Sequence, residues 1–222
     1  MIKDVVGFLS QLKQNNNRQW FLEHKPEYQQ SKDWLDNLLI RIIEKAAKFD
    51  PGLKFLTPSD CTYRQNRDVR FSNDKSPYKT HFAAVLKQGG KKNGETPSYY
   101  FQIDSQGKLF VGGGWYIMDS KELFKLRSNI LKEPQKFLKT IQTSNFKKAF
   151  KELSGEKLTG SPRGFSKDDP NIELLKYKHY IAFRETDISK FSETELEDYI
   201  LESFEALVPL VQYLLDIKNL EV

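Results

Sequence analysis

Residues Cys61 to His81 read C-T-Y-R-Q-N-R-D-V-R-F-S-N-D-K-S-P-Y-K-T-H and gather Arg64, Arg67, Arg70, Lys75 and Lys79 against only two carboxylates, Asp68 and Asp74. Guanidinium forks bind phosphate or carboxylate oxygens bidentately, and lysine adds a compact charge. Asn66, Ser72, Asn73, Ser76 and Pro77 set turns rather than a helix, and turn amides can add further donors. Five cations over two anions leave positive charge that the segment does not neutralise, which predicts a site for an anion. The competing reading is an ion-pair network in which Asp68 and Asp74 fasten the arginines and hold a loop.

Proton-transfer chemistry has few candidates here. His81 titrates near neutral pH and Asp74 lies among the cations, so these two are the candidate catalytic groups. Asp68 suits the orientation of an arginine, and Tyr78 suits donation to a phosphate oxygen or stacking on a base. Asp68, Asp74 and His81 are too few and too closely surrounded by cations to predict a resident metal. Cys61 beside Arg64 reads as a buried strand cysteine rather than a nucleophile. No cofactor is named by the sequence. Neither G-x-G-x-x-G nor a Walker motif is present, so Gly112-Gly113-Gly114 predicts either a backbone open to a ligand at Gly113 or a bulge that re-aims Trp115. Arg127, on a helix, reads first as a solvated arginine or an internal salt bridge and alternatively as a group aimed at the same site, and Arg163 is the arginine that a second loop would contribute.

The pattern R-x-x-R-D-x-R-F-x-x-D-K-x-x-Y, formed by Arg64, Arg67, Asp68, Arg70, Phe71, Asp74, Lys75 and Tyr78, resembles the signature of a bacterial family of conserved hypothetical proteins, the domain of unknown function twenty-four sixty-one. Every signature position is matched. The likeness extends to an N-x-R-x-W-F segment (Asn16, Arg18, Trp20, Phe21) and to a late pair of motifs of which Pro162, Gly164, Phe165 and Pro170 are present. It implies a domain spanning nearly the whole chain and carries no activity with it.

The elements that position these residues follow from periodicity. Val5, Phe8, Leu9 and Leu12 have helical spacing, Asn15 to Asn17 offer a cap for a second helix with Trp20 and Phe21, and Trp34 to Ala46 form one apolar stripe ended by Asp50-Pro51-Gly52. Strands are predicted near 61–65, 80–87, 98–104, 108–111 and 177–184. The connections are short and sequential, so the expected class is α+β, with an antiparallel or mixed sheet packed by N-terminal and C-terminal helices. Asp119-x-x-Glu122 and Ser192-x-x-Glu195 are capping boxes, the second opening a long helix that runs through Pro209. One domain is expected over 1–222, with 1–50 a helical segment packed on the sheet.

Length and composition set the outer limits. The chain has 222 residues, 38% hydrophobic and 13% aromatic, enough for a substantial core. A net charge of +5 and a pI near 9.0 suit anionic partners without amounting to a nucleic-acid signature. A single cysteine excludes an internal disulfide, and the absence of a long apolar run predicts a cytoplasmic protein with no membrane partner. Three readings remain: a site for a phosphate-bearing small molecule or nucleotide, enzymatic or not; a module that binds nucleic acid through the signature with Lys87, Lys91 and Lys92, stacking bases on Tyr78, Tyr99 or Tyr100; and a purely architectural signature. Oligomeric state is not encoded in any feature identified.

Overall fold

The computed structural model describes residues 1–220. In chain order the helices are α1 (Ile2–Gln14), α2 (Arg18–Glu23), α3 (Lys25–Ala46) and α4 (Pro58–Cys61), followed by strands β1 (His81–Leu86), β2 (Ser98–Asp104) and β3 (Lys108–Trp115). Helices α5 (Ser120–Lys132), α6 (Pro134–Ile141), α7 (Ser144–Phe150) and α8 (Ile172–Leu175) then lead to β4 (Tyr180–Asp187) and α9 (Glu193–Asn219). The strands form one antiparallel sheet in the order β1-β2-β3-β4, so the class is α+β. Sequential order follows from the short links: β2 and β3 are joined through Ser105-Gln106-Gly107, where Asp104 accepts from the Gln106 and Lys108 amides at 2.8 and 2.9 Å.

The chain divides into two compact units, and β2, β3, β4 and α9 each contribute residues to both. The first comprises Met1–Lys92, Tyr100–Val111 and Glu185–Leu201. Its core is the apolar stripe of α1 (Val5, Phe8, Leu9, Leu12) and that of α3 (Trp34, Leu35, Leu38, Leu39, Ile42, Ile43), with Phe82, Phe101 and Ile103 from the sheet. Glu197 at the start of α9 is almost fully buried and accepts from Arg41 and Lys45 of α3, both at 2.6 Å, so its charge is matched twice.

The second unit comprises Asn93–Tyr99, Gly112–Arg184 and the described residues from Glu202 onward. Tyr99, Trp115, Phe137, Phe146, Tyr180 and Phe204 are its largest fully buried side chains. Asp119 caps α5 by accepting from the Lys121 and Glu122 amides at 2.8 Å, and Glu122 returns to the Asp119 amide at 3.1 Å.

Three strand boundaries differ from the sequence expectation. The strand expected over 61–65 is reduced to one antiparallel bridge, Thr62 to Ala84, because Pro58 opens a helical turn that runs to Cys61. β3 does not stop at Val111 but continues through the three glycines. A Cβ on Gly113 would lie 2.6 Å from the Ser98 carbonyl, so glycine is what lets the neighbouring strand approach. The strand expected over 177–184 starts at Tyr180, since Tyr177 is taken by a bridge to Lys157 and the Lys178 amide donates to the Glu156 carbonyl at 2.7 Å. Trp20 and Phe21 of α2 are half-buried: Trp20 stacks on His24 at 3.9 Å and Phe21 on Tyr78 at 4.0 Å.

Candidate functional site

The signature folds as a hairpin within the first unit. Asn66 bridges Tyr78, the Arg67 amide donates to the Pro77 carbonyl at 2.9 Å, and the Lys79 amide donates to the Gln65 carbonyl at 2.9 Å. Gln65, itself buried, closes the same end by donating its side-chain amide to the Lys79 carbonyl. Residues 68–76 form the tip.

At the tip, most of the signature is used internally. The Arg67 guanidinium pairs with Asp74 and also reaches the Ser76 carbonyl at 3.3 Å and the Ser72 hydroxyl at 3.4 Å. Asp68 accepts from Arg70 at 3.0 and 2.6 Å, a bidentate pair, and Lys75 donates to the Val69 carbonyl at 3.0 Å. Hydrogen bonds from Ser76, then the Arg67 charge, hold the Asp74 carboxyl down at about 2. Asp68 is lowered too, chiefly by Arg70. Asp74 is thus an ionised, occupied carboxylate at neutral pH rather than a proton carrier.

Two cations are left outside this network. Arg64 and Lys79 have no carboxylate within ion-pair distance among the described residues. Lys79 opens onto a cavity of about 220 Å³ lined by Tyr28, Lys32, Thr62, Tyr63, Gln65, His81 and Tyr100 among others. Its ammonium group lies 5.4 Å from the centre of the Tyr63 ring. Burial, then the nearby Arg64 charge, pushes the Lys79 pKa below its ordinary value, the signature of a cation that lacks a counter-charge.

The groups around Lys79 are donors held in defined states. Burial, then the charge of Lys79, lowers the His81 pKa, with Arg67 adding to the effect and Asp104 opposing it, so the imidazole is neutral near pH 7. Burial pushes Tyr100 up to about 12 and also raises Tyr28, which keeps both phenols protonated. The Tyr100 hydroxyl donates to Gln102 at 2.8 Å, and Lys32 at the rim is paired with Asp36 at 2.5 Å. The ammonium of Lys79, that of Lys32 at the rim, the Tyr28 phenol and a neutral imidazole line a space the size of a small anion, while the Thr62 hydroxyl donates to the Pro58 carbonyl at 3.0 Å.

The structure brings together Lys79 and His81 at this cavity, with Arg64 and Arg67 close enough to act on them electrostatically. Asp68, Arg70 and Lys75 stand at the hairpin tip. Tyr78 is only 7% exposed and packs on Phe21, so its ring belongs to the core. Tyr99, 1% exposed, is core as well. Gly113, Arg127 and Arg163 fall in the second unit. There Arg127 is buried and donates to the Tyr177 carbonyl at 3.0 Å, and Arg163 is exposed in the turn closed by the Phe165 amide on the Pro162 carbonyl at 3.1 Å. Cys61 is fully buried, and its thiol is pushed up to about 12 by that burial, which leaves it inert.

Tyr28, Lys32 and Tyr63 were not legible as site residues from the signature, and Tyr100 was expected only to stack on bases. Period-two alternation held part of the signal. Tyr100 faces away from core-facing Tyr99 and Phe101, and His81 faces away from core-facing Phe82. Tyr28 and Lys32 come from α3, which no local pattern connects to the hairpin.

No helix among the described residues is long and apolar enough to cross a membrane. No curated protein and no solved structure matches the chain. The sequence profile of one family, described as conserved hypothetical protein (DUF2461), matches residues 4–213, nearly the full length, and the chain therefore belongs to that family.

Proposed function

We propose that the cavity at the base of the signature hairpin binds a small phosphate-bearing anion, in a cytoplasmic domain. The observation that carries this reading is Lys79, a half-buried cation opening onto the cavity with no carboxylate partner among the described residues and a pKa lowered by burial and by Arg64. An anion there would relieve the cost of that uncompensated charge and accept a hydrogen bond from the Lys79 ammonium. A volume of about 220 Å³ favours a phosphate or a short phosphorylated metabolite over a whole nucleotide. Neutral His81 is the one group placed to accept a proton if the bound molecule reacts. Calorimetry and thermal shift with inorganic phosphate and short sugar phosphates test the proposal. Binding by the wild type that Lys79→Met abolishes supports it, and no binding by the wild type overturns it.

A second reading is favoured by the ion pairs at the tip. Arg67 with Asp74, Arg70 with Asp68 and Lys75 with the Val69 carbonyl brace the hairpin, so this part of the signature is architectural. Its test is stability: Arg67→Ala lowers the unfolding midpoint while phosphate binding, referred to the folded protein, persists.

A further inference from the structure

The bracing of the hairpin tip leaves its one aromatic side chain unpacked against the fold. Phe71 is 96% exposed, although every charged neighbour at the tip is tied down. A phenyl ring in water stabilises nothing in the monomer, and a loop held by three separate side-chain contacts presents it in a fixed place. The Arg70 guanidinium lies 5.8 Å from the centre of that ring.

The same combination recurs in this part of the chain. Tyr63 is 53% exposed, with the ammonium groups of Lys79 and Lys91 at 5.4 and 5.7 Å from its ring centre. Lys91 is itself anchored, donating to the Ser59 carbonyl at 2.6 Å and to the Thr62 carbonyl. Phe55 is 88% exposed, with Lys54 at 5.6 Å. Three exposed rings within residues 54–92 thus each carry a cation beside them. An apolar pocket on a partner protein would call for rings without that repeated charge. A flexible polyanion with a flat π-face on every unit calls for both, because stacking and phosphate neutralisation then act together.

We propose that residues 54–92 bind single-stranded nucleic acid, with Phe71 and Tyr63 as stacking platforms and Arg70, Lys79 and Lys91 as phosphate contacts. The recognition is of unpaired bases and backbone charge. Bases inside a duplex offer no free faces to these rings. The proposal goes beyond the cavity, since Phe71 and Lys91 are not among the residues lining it. Aromatics expected from the sequence to stack, Tyr78 and Tyr99, are buried, and exposed Phe71 and Tyr63 take their place.

The test is fluorescence anisotropy of labelled oligo-dT and oligo-U strands of about twelve nucleotides, the length scale of such sites, beside a duplex of equal length. The wild type is expected to bind either single strand more tightly than the duplex, with affinity falling as salt rises. Phe71→Ala is expected to weaken binding about tenfold, whereas Phe71→Trp retains it; the ring's exposure leaves the melting temperature unmoved in both. Oligo-U bound in preference to oligo-dT would identify RNA as the natural strand, and the reverse would identify DNA, each in support. Equal binding by wild type and Phe71→Ala, equal binding of duplex and single strand, or no binding at low salt would overturn the proposal. Phosphate-induced stabilisation through Lys79 is measured separately in Phe71→Ala, so failure of the stacking surface and failure of the cavity are distinguishable.

Discussion

Both backbone polar groups of Tyr78 are held by the side chain of Asn16: the amide nitrogen donates to the Tyr78 carbonyl at 2.9 Å, and the amide oxygen accepts from the Tyr78 N–H at 3.0 Å. Phe21, five residues on, stacks on the Tyr78 ring at 4.0 Å. The N-x-R-x-W-F segment is therefore the clamp for the end of the signature hairpin, which sets the base of the cavity. Asn16→Ala removes two part-buried hydrogen bonds and is expected to cost about 2 kcal/mol, read as a lower urea midpoint. Asn16→Asp keeps the acceptor, loses the donor and faces a carbonyl with a carboxylate, so it should recover less than half of that loss. An unchanged midpoint in Asn16→Ala would show that the clamp is idle.

His81 and Asp74 each contribute to the acid side of the stability profile with a known sign. Burial and Lys79 lower the His81 pKa below its ordinary 6.5, so the unfolded chain takes up this proton first. Stability should fall as pH drops below about 6.5, and His81→Gln should flatten that limb. Asp74 works lower down. Its carboxyl, ordinarily near 3.8, is held at about 2, chiefly by Ser76 and then Arg67, so its contribution is complete above 3.8 and is lost as pH falls from there through about 2. Asp74→Asn should shrink the loss below 3.8, to which Asp68, Asp60, Asp119 and Asp187 add their own parts, and leave the His81 limb unchanged, in denaturation midpoints measured across pH.

The central glycines of β3 are a packing requirement, which predicts a large penalty for one added methyl group. Gly114 has φ +120, a region closed to other residues, and a Cβ there would run into the Tyr180 carbonyl of β4. Gly114→Ala combines backbone strain with a backbone clash and should cost more than about 3 kcal/mol, seen as loss of soluble expression or a collapsed melting temperature. A near-native melt would mean that the strand edge is looser than the sheet geometry requires.

What the sequence disclosed and what it withheld divide along physical lines. Helices α1, α3, α5 and α9 were legible because each carries a sustained apolar stripe, and α5 also announces its start with Asp119 and Glu122. Strand β2 was legible from the alternation Tyr99, Phe101, Ile103 against Tyr100 and Gln102. The segment 61–65 misled because Thr62 and Tyr63 favour strands locally, while Pro58 and the Thr57–Asp60 capping box commit the preceding turn to a helix. Within the site, the excess of cations over carboxylates was visible, but which cations pair was not. The tip geometry, not composition, gives Asp74 to Arg67 and Asp68 to Arg70, leaving Lys79 and Arg64 over. Tyr28 reaches the cavity through tertiary packing of α3, for which one chain carries no local mark.

Lys79 has no carboxylate within ion-pair distance among the described residues, and the most direct measurement of the proposed anion site is thermal unfolding of wild type and Lys79→Met with and without inorganic phosphate. At phosphate a hundredfold above its Kd the wild type should gain about 2.7 kcal/mol, on the order of 5–10 °C for a chain of this size. Lys79→Met should show no gain, while its melting temperature without phosphate equals or exceeds that of the wild type, because a poorly neutralised charge has been removed. A Lys79→Met protein that melts lower without phosphate yet keeps the full phosphate-induced shift would contradict the account.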